Sequence, residues 1–228
     1  MRRLEKYLVE CGAGTRREIK KAVLEGKVKV NGEIVLNDGT DVYPDIDIIT
    51  FEDKPLEYKT MRYYIMYKVA GYITAMKDER KKTVADLLPE WVDRRALFPV
   101  GRLDKDTEGM LLFTNDGDLC FEMSSPETKC EKTYYVELMR DISEEDMDIL
   151  RAGVTIDDYA CMPAQVEKIE DSKVYLTIHE GKYHQVKKMM KSVKNKVTYL
   201  KRVRFGNIEL GDMVPGEVRE ITREDIGR

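Results

Sequence analysis

The sequence predicts an α+β protein with a small N-terminal domain and a larger domain whose mixed, mainly antiparallel β-sheet is flanked by helices. The first fifty or so residues follow a helix–helix–hairpin pattern, and a polar segment with one proline comes after them. In the rest of the chain, strand patterns outnumber helix patterns and do not alternate with them. We therefore predict domains at residues 1–50 and 62–228, joined by a linker at 51–61.

Two short helices and a hairpin make up the predicted N-terminal domain. The apolar positions that share a face in the two helices are Leu4, Leu8, Cys11, Ile19, Ala22 and Val23. Thr15 and Glu18 have the spacing of a capping box, which predicts the start of the second helix, and Gly26 ends it. The segment VKVNGEIV at 28–35 has the pattern of a strand, a two-residue Asn-Gly turn and a second strand.

The second helix also carries a basic side. Its basic residues, opposite the apolar face, are Arg16, Arg17, Lys20 and Lys21. Such a cluster alone is typical of an ordinary solvated helix face. Together with the hairpin, however, the stretch TRREIKKAVLEGKVKVNG resembles the S4 RNA-binding domain, and the likeness extends over about residues 1–48. This resemblance implies that the four side chains face RNA phosphates.

The larger domain begins with an apolar strand at 63–67. Further strands are predicted at 111–114, 133–138, 173–178 and 197–205. Helices are predicted at 83–88, 143–152 and 184–193. Because the strands follow one another without regular crossover helices, an antiparallel or mixed sheet is favoured over a purely parallel one.

Charge is distributed unevenly along the chain. The formal net charge is −4, which argues against a general binder of polyanions. Residues 1–29 nevertheless carry nine Lys and Arg against four Glu, and residues 181–208 carry nine Lys and Arg without any acidic residue. Each of these basic segments is therefore predicted to meet a phosphate backbone.

The cysteines indicate a reducing compartment, and the apolar segments match neither a signal peptide nor a membrane span. The four cysteines form neither a Cys-x-x-Cys pair nor a zinc-ligand spacing, which is typical of buried free thiols. The N-terminal stretch MRRLEKYLVEC lacks the apolar core of a signal peptide, and no run approaches the roughly eighteen apolar residues of a membrane span. We therefore expect a cytoplasmic protein that makes no contact with a membrane.

The stretch GRLDKDTEGMLLFTNDGD at 101–118 places five acidic residues around an apolar segment. A calcium loop is disfavoured, because its fifth position is Glu108 and its twelfth, which should be an acidic ligand, is Asn115. Carboxylates at Asp104 and Asp106 would suit a glycosidase, but a single tryptophan provides no carbohydrate platform. A surface turn explains most of the acids, whereas Asp104 follows an apolar stretch and should be partly buried beside a partner.

Three blocks of the larger domain resemble, in order, the motifs of the pseudouridine synthases that act on ribosomal RNA. The blocks are GRLDKDTEGMLLFTNDGDL at 101–119, KTYYV at 132–136 and EGKYHQVKKM at 180–189. With the S4-like domain in front of them, the resemblance covers essentially the whole chain. The flanking sequences are most similar to the members that isomerise one uridine of 16S rRNA. One departure is KVAG at 68–71, where the family often has a proline after the lysine.

This resemblance implies an isomerase that breaks the C1′–N1 bond of a uridine and rejoins the base through C5, with no cofactor and no metal. It assigns Asp104 as the essential carboxylate, which attacks C1′ or C6 or removes a ribose proton. Tyr134 corresponds to the tyrosine that stacks on the uracil, and Lys187 to the cation beside the carboxylate. Without the motifs, Tyr134 would be a core aromatic and Lys187 a solvated lysine. The expected substrate contacts are Arg102, His184 and Gln185.

Ribosomal RNA is the expected partner, in the form of small-subunit rRNA or an assembly intermediate, and the resemblance implies a monomer. The basic residues expected to contact this RNA outside the S4-like domain are Lys188, Lys191, Lys201 and Arg202. Two alternatives stay open. One is an isomerase for a uridine of large-subunit rRNA, since the chemical motifs are shared. The other is a non-catalytic S4-type RNA-binding factor in ribosome assembly.

Overall fold

The computed structural model describes residues 1–44, 46–56 and 61–227. The backbone divides into two compact units. The first comprises residues 1–61, 93–97 and 115–117, and the second comprises 62–92, 98–114 and 118–228. Helices and strands both occur along the chain, and the α+β class is confirmed. Among the described residues, no helix is long and apolar enough to cross a lipid bilayer.

The first unit contains the two predicted helices, α1 (Leu4–Glu10) and α2 (Arg16–Leu24). Its strands are β1 (Arg2–Arg3), β2 (Val28–Val30), β3 (Glu33–Ile34), β4 (Asp41–Val42), β5 (Ile49–Phe51) and β6 (Lys54–Pro55). The predicted capping box is present, because the Thr15 hydroxyl accepts from the amide of Glu18 and the Glu18 carboxylate accepts from the amide of Thr15. The apolar faces of both helices pack with Val28, Val42 and Ile49 in one core.

The β5–β6 pair extends into the segment predicted as a linker, residues 51–61. Glu52 and Asp53 form the turn between these strands, and both have left-handed φ angles, 49° and 62°. Asn and Gly are the residues that normally mark such a turn, so a Glu-Asp pair gave no signal in the sequence. Residues 57–60 of the predicted linker lie outside the described residues.

The remaining helices are α3 (Gly117–Ser124), α4 (Glu144–Ala152), α5 (Gln185–Ser192) and α6 (Arg223–Ile226). The remaining strands are β7 (Tyr63–Lys68), β8 (Phe98–Val100), β9 (Glu108–Thr114), β10 (Lys132–Leu138), β11 (Thr155–Ile156), β12 (Tyr159–Ala160), β13 (Gln165–Glu170), β14 (Lys173–Ile178), β15 (Val197–Phe205), β16 (Ile208–Glu209) and β17 (Val218–Ile221). Short 3₁₀ turns occur at Val84–Leu87 and Pro126–Thr128.

Nine of the described strands form one sheet, which follows the order β13-β14-β10-β15-β9-β7-β17, with β8 beside β9 and β16 beside β15. Neighbouring strands run antiparallel except β15 and β9, which are parallel with Arg202 opposite Gly109. A side chain at position 109 would place its Cβ 2.2 Å from the carbonyl oxygen of Arg202, and φ there is 98°. The close parallel pair therefore requires glycine at this point.

Several elements differ from the sequence-based expectation. Strands β8, β11–β13, β16 and β17 and helices α3 and α6 were not predicted, and the helix predicted at 83–88 is a 3₁₀ turn at Val84–Leu87. The strand predicted at 111–114 begins earlier, at Glu108, because the parallel partner β15 pairs with its first residues. Helix α3 was not predicted, because Asn115 and the three residues after it have turn chemistry. The helix begins within that turn, at Gly117, and buries Leu119 and Met123.

Candidate active site

The loop between β8 and β9, residues 101–107, carries Asp104. The ammonium group of Lys68, at the end of β7, lies within hydrogen-bond distance of three carbonyl oxygens in this loop. They belong to Thr107 (2.7 Å), Asp104 (3.1 Å) and Lys105 (3.3 Å). Lys68 is fully buried, so the loop that carries Asp104 is attached to the end of a core strand.

Burial lowers the pKa of the Lys68 ammonium group to about 8, although the carboxylates of Asp106, Glu108 and Asp104 act in the opposite direction. Lys68 has no role among the sequence-based predictions. A detectable signal was the lysine that ends YYIMYK, a strand whose other residues are all apolar or aromatic. A lysine in such a position must leave the core or find internal partners.

Asp104 and Lys187 form an ion pair in the wall of one cavity in the second unit. Nζ of Lys187, on α5, lies 3.0 Å from Oδ2 of Asp104, and the two side chains are 26% and 24% exposed. Nε2 of His184 lies 3.6 Å from Oδ1 of the same carboxylate. The structure thus brings together the carboxylate and the cation that the sequence predicts as partners. The attraction of a cation this close offsets part of the free energy that partial burial of a carboxylate charge costs.

Lys187 has a second partner, Asp106, whose Oδ1 lies 2.6 Å from Nζ and whose side chain is 73% exposed. Burial lowers the pKa of Lys187, but the two carboxylates outweigh this effect and raise that pKa above its ordinary value. Burial likewise acts to raise the pKa of Asp106, and the Lys187 ammonium group overcomes it and lowers that pKa. Lys187 is therefore a cation at neutral pH. Among the described residues, no cluster of His, Cys, Asp or Glu is arranged to hold a metal ion.

One cavity gathers the predicted catalytic and substrate-contact residues. It is lined by Asp104, Tyr134, Lys187, Arg102, His184 and Gln185. Apolar walls are supplied by Leu103, Ile178 and Leu200. An aromatic ring, apolar walls and a carboxylate–ammonium pair can hold a flat heterocycle and place its attachment point beside the carboxylate.

Arg102 and His184 present polar groups to this cavity in different ways. Arg102 is exposed at its edge. His184 precedes α5 with a left-handed φ of 53°, and its side chain does not cap the helix. Its imidazole instead stacks on the ring of Tyr183, with the ring centroids 3.9 Å apart. His184 therefore lies between the carboxylate of Asp104 and an exposed aromatic ring.

Gln185 is buried, and both ends of its amide group have partners inside the protein. The amide oxygen accepts a hydrogen bond from the backbone of Lys182 at 2.9 Å. The amide nitrogen donates to Glu180 at 3.0 Å. Gln185 therefore holds the loop before α5 in place, and its contact with substrate stays a prediction.

Helix α5 carries two more of the predicted RNA contacts. Lys191 is exposed, and Lys188 is 25% exposed and forms an ion pair with Asp157. Both lie on the side of the helix away from the buried Met189 and Met190. Their position beside Lys187 makes a basic surface next to the cavity.

The structure corrects the predicted RNA contact of Arg202. This residue is only 1% exposed, and its Nε donates to the carbonyl oxygen of Met110 at 2.8 Å. Burial lowers the pKa of its guanidinium group, while an interaction with the Tyr134 hydroxyl acts in the opposite direction. No RNA phosphate reaches such a position, so Arg202 supports Tyr134 from inside the protein.

Lys201 lies on the other face of the sheet, and its contact with RNA stays a prediction. Successive side chains of a strand point to opposite faces, and Lys201 pairs with Tyr135, whereas Arg202 pairs with Tyr134. Its ammonium group lies 5.3 Å from the centroid of the Tyr135 ring. It borders a cavity of about 700 Å³ on that other face of the sheet, so it is not part of the surface around Asp104.

In the first unit, the predicted basic side of α2 is exposed. It consists of Arg16, Arg17, Lys20 and Lys21. The nearest carboxylates are 3.6 Å away, in the pairs Arg16–Glu5, Lys20–Asp38 and Lys21–Glu25. Surface pairs of this kind are weak, so the cations are available to a phosphate backbone.

Comparison with known families matches both parts of the chain. The sequence matches the RNA pseudouridylate synthase family over residues 62–192 and the S4 domain over residues 2–44. A crystal structure of a pseudouridylate synthase superposes with a TM-score of 0.70 at 33% sequence identity, covering 100% of this chain and 99% of its own.

Curated relatives extend over nearly the full length. An uncharacterized RNA pseudouridine synthase of Bacillus subtilis, YtzG, is 44% identical over 98% of this chain and 96% of its own. Ribosomal small subunit pseudouridine synthase A of Vibrio cholerae is 36% identical over 98% of this chain and 97% of its own. Ribosomal large subunit pseudouridine synthase B of Bacillus subtilis is 32% identical over 100% of this chain and 95% of its own.

Proposed function

The chain belongs to the RNA pseudouridylate synthase family and is an isomerase with an N-terminal S4 domain, and we propose that its substrate is one uridine of 16S rRNA. The observation that carries the proposed chemistry is the Asp104–Lys187 ion pair in the cavity that Tyr134 lines. These three residues come from three separate sequence blocks and meet at one place in the fold.

The reaction replaces one bond of the uridine with another. The C1′–N1 bond breaks, the uracil turns within the site, and C1′ joins the base at C5. The proton on C5 leaves and N1 gains a proton, so the product is an isomer and no other reactant is consumed. In this proposal Asp104 attacks C1′ or C6 or removes a ribose proton. Each of these roles needs the anion that Lys187 stabilises.

The remaining cavity residues are proposed to bind the nucleotide. A uridine must leave its base stack to reach Asp104, and the ring of Tyr134 offers a surface on which the uracil can stack. Arg102, at the exposed edge, would contact the nucleotide backbone or fill the place that the base leaves. His184 would hydrogen-bond to the RNA from the side of α5.

Two basic surfaces are proposed to bind the rest of the RNA. One is the exposed side of α2 in the S4 domain, and the other is the surface of α5 with Lys188 and Lys191. Basic side chains supply affinity for the phosphate backbone without reading sequence, so the cavity and the RNA shape would select the target.

Small-subunit rRNA is favoured over large-subunit rRNA by the higher identity to the small-subunit relative, 36% against 32%. Large-subunit rRNA is therefore the second candidate substrate. A non-catalytic role is set aside by the family membership and by the presence of all three motif residues. An rRNA substrate would place the reaction in the cytoplasm. A monomer would suffice, because every proposed catalytic group comes from one chain.

The test uses 16S and 23S rRNA transcripts labelled with tritium at C5 of uracil. Loss of the C5 proton releases tritium to water, so we expect about one equivalent from 16S rRNA, and mapping of pseudouridine would then locate the site. Release from 23S rRNA alone would show that the substrate is a uridine of large-subunit rRNA. No release from either RNA, in free or assembling subunits, would contradict the proposed function.

A further inference from the structure

We propose that Tyr183 provides a stacking surface for an unpaired nucleobase adjacent to the target uridine. The proposal rests on the proposed function, because it takes the cavity beside Asp104 to be the site of a uridine in RNA. It adds a recognition site for a second nucleotide, on the outer side of His184.

Tyr183 is a large aromatic residue that the fold leaves open to solvent beside the cavity. It is 70% exposed, and its ring is stacked on the imidazole of His184 with the planes inclined by 20° and the centroids 3.9 Å apart. Nε2 of that imidazole lies 3.6 Å from Oδ1 of Asp104. The two rings therefore form a short stack that leads from the carboxylate out to the solvent.

The loop that presents Tyr183 is held from inside the protein. The buried carboxylate of Glu180 accepts hydrogen bonds from the backbone of Met162 at 2.6 Å and from the side chain of Gln185 at 3.0 Å. Gln185 in turn accepts from the backbone of Lys182 at 2.9 Å. These contacts lie on both sides of Tyr183 in the sequence. The backbone on both sides of Tyr183 is therefore held in place by buried hydrogen bonds.

Cations accompany the ring. Nζ of Lys188 lies 4.9 Å from the centroid of Tyr183, and Asp157 pairs with the same ammonium group. Nζ of Lys182, the residue before Tyr183, lies 3.9 Å from the centroid of Tyr159. An aromatic ring with a lysine close to it suits a nucleobase and its phosphate, because bases of any kind stack on aromatic rings and phosphates attract ammonium groups. A protein partner would need far more apolar surface than one ring.

The position of the stack selects an adjacent base. When the target uridine leaves its helix, its neighbours lose a stacking partner. The imidazole of His184 stacks on Tyr183 and places Nε2 3.6 Å from Oδ1 of Asp104, so one side chain connects the tyrosine ring to the carboxylate. A base directly next to the target can therefore reach Tyr183 while the uracil lies beside Asp104.

The test combines protein variants with changes in the RNA. The RNA is a fragment around the mapped uridine, labelled with tritium at C5, and two further versions lack the base directly before or directly after it. The variants are Tyr183→Ala, Tyr183→Phe and the control Tyr175→Ala. Tyr175 is also an exposed tyrosine, 36% exposed, but it lies on the opposite face of the sheet beside Tyr135. The rate of tritium release gives kcat and KM for each pair.

On the intact RNA we expect Tyr183→Ala to lower kcat/KM roughly tenfold, mainly through KM, since stacking of one base contributes that much. Tyr183→Phe and Tyr175→Ala should match the wild-type protein. On one of the two RNAs that lack a neighbouring base, kcat/KM of the wild-type protein should fall to the value of Tyr183→Ala on intact RNA. On that RNA the substitution should lower kcat/KM no further.

Three outcomes would overturn the inference. The same loss for Tyr183→Ala on all three RNAs would show that the ring acts only through His184, and no loss on intact RNA would show that the ring is not used. If the wild-type protein releases tritium and either of these two results is found, the inference about Tyr183 is overturned and the proposed function is not. No release by the wild-type protein would overturn the proposed function and this inference with it.

Discussion

Nζ of Lys187 lies 3.0 Å from Oδ2 of Asp104, so an ion pair joins helix α5 to the loop after β8. Each charged group is partly removed from water, and the attraction between the two charges offsets the free energy that this dehydration costs. The same ammonium group also holds Asp106, which is far more exposed. The consequences of substitution should therefore differ sharply between the two carboxylates.

We expect Asp104→Asn to abolish pseudouridine formation and to leave RNA binding intact. Asparagine has nearly the same shape but no negative charge, so it cannot act as the nucleophile or the base. Tritium release from rRNA labelled at C5 measures turnover, and filter binding measures affinity. The matched variant Asp106→Asn, at a position 73% exposed, should lose far less activity. Full turnover by Asp104→Asn would remove Asp104 from the mechanism.

We expect Lys187→Met to lower kcat by about a hundredfold, because a partly buried carboxylate would lose its cation. The rate is measured at saturating rRNA, so that weaker binding does not contribute. Lys196→Met, at an exposed position shortly after α5, is the control and should keep the wild-type kcat. A kcat for Lys187→Met within twofold of the wild-type value would show that the ion pair does not serve the reaction.

We expect Lys68→Met to lower the free energy of unfolding by about 3 kcal/mol, because the loop carbonyls that face the ammonium group would be left without a donor. Urea unfolding followed by circular dichroism measures this change. Lys105→Met, an exposed position in the same loop, should stay within about 0.5 kcal/mol of the wild type. Equal stability of the two variants would contradict the structural role of Lys68.

The lowered pKa of Lys68 also predicts how stability depends on pH. This pKa is about 8 in the folded protein and 10.5 for an ordinary lysine. Between these values the unfolded chain binds more protons at this position than the folded protein, so the stability contributed by Lys68 rises with pH. The difference in unfolding free energy between the wild type and Lys68→Met should be constant below pH 8 and widen from pH 8 to pH 10. A difference that narrows over this range would contradict the lowered pKa.

We expect the basic side of α2 to bind RNA through charge. Replacing all four of its basic residues with glutamine should weaken rRNA binding and make the slope of log affinity against log salt less steep by about 3. The substituted residues are Arg16, Arg17, Lys20 and Lys21. Binding measured over a range of NaCl concentrations gives the slope. The control is a double variant with glutamine at Lys168 and Lys173, on β13 and β14, which should keep the wild-type slope. An unchanged slope in the α2 variant would show that the basic side of α2 does not bind RNA phosphates.

Local sequence determined much of the secondary structure. The capping box of Thr15 and Glu18, the strands at 173–178 and 197–205, and helix α5 with one residue less at each end occur where the sequence predicts them. Capping, turn chemistry and hydrophobic periodicity act between residues that are close in the chain, so sequence alone reports them. Where local signals are ambiguous, the prediction failed: it missed the Glu-Asp turn and the strand β6 that follows it.

The sequence by itself also determined the family and singled out Asp104, Tyr134 and Lys187 through three ordered motifs. Only the tertiary structure decided how the other cations are used. Lys68 finds its partners in a loop more than thirty residues later, and Arg202 finds its partner 92 residues earlier. Alternation along a strand is a local property, but the face that becomes buried depends on which strands pack beside it. Because β15 lies between β10 and β9, Arg202 is enclosed in the core, whereas Lys201, the residue before it, lies on the opposite face of the sheet.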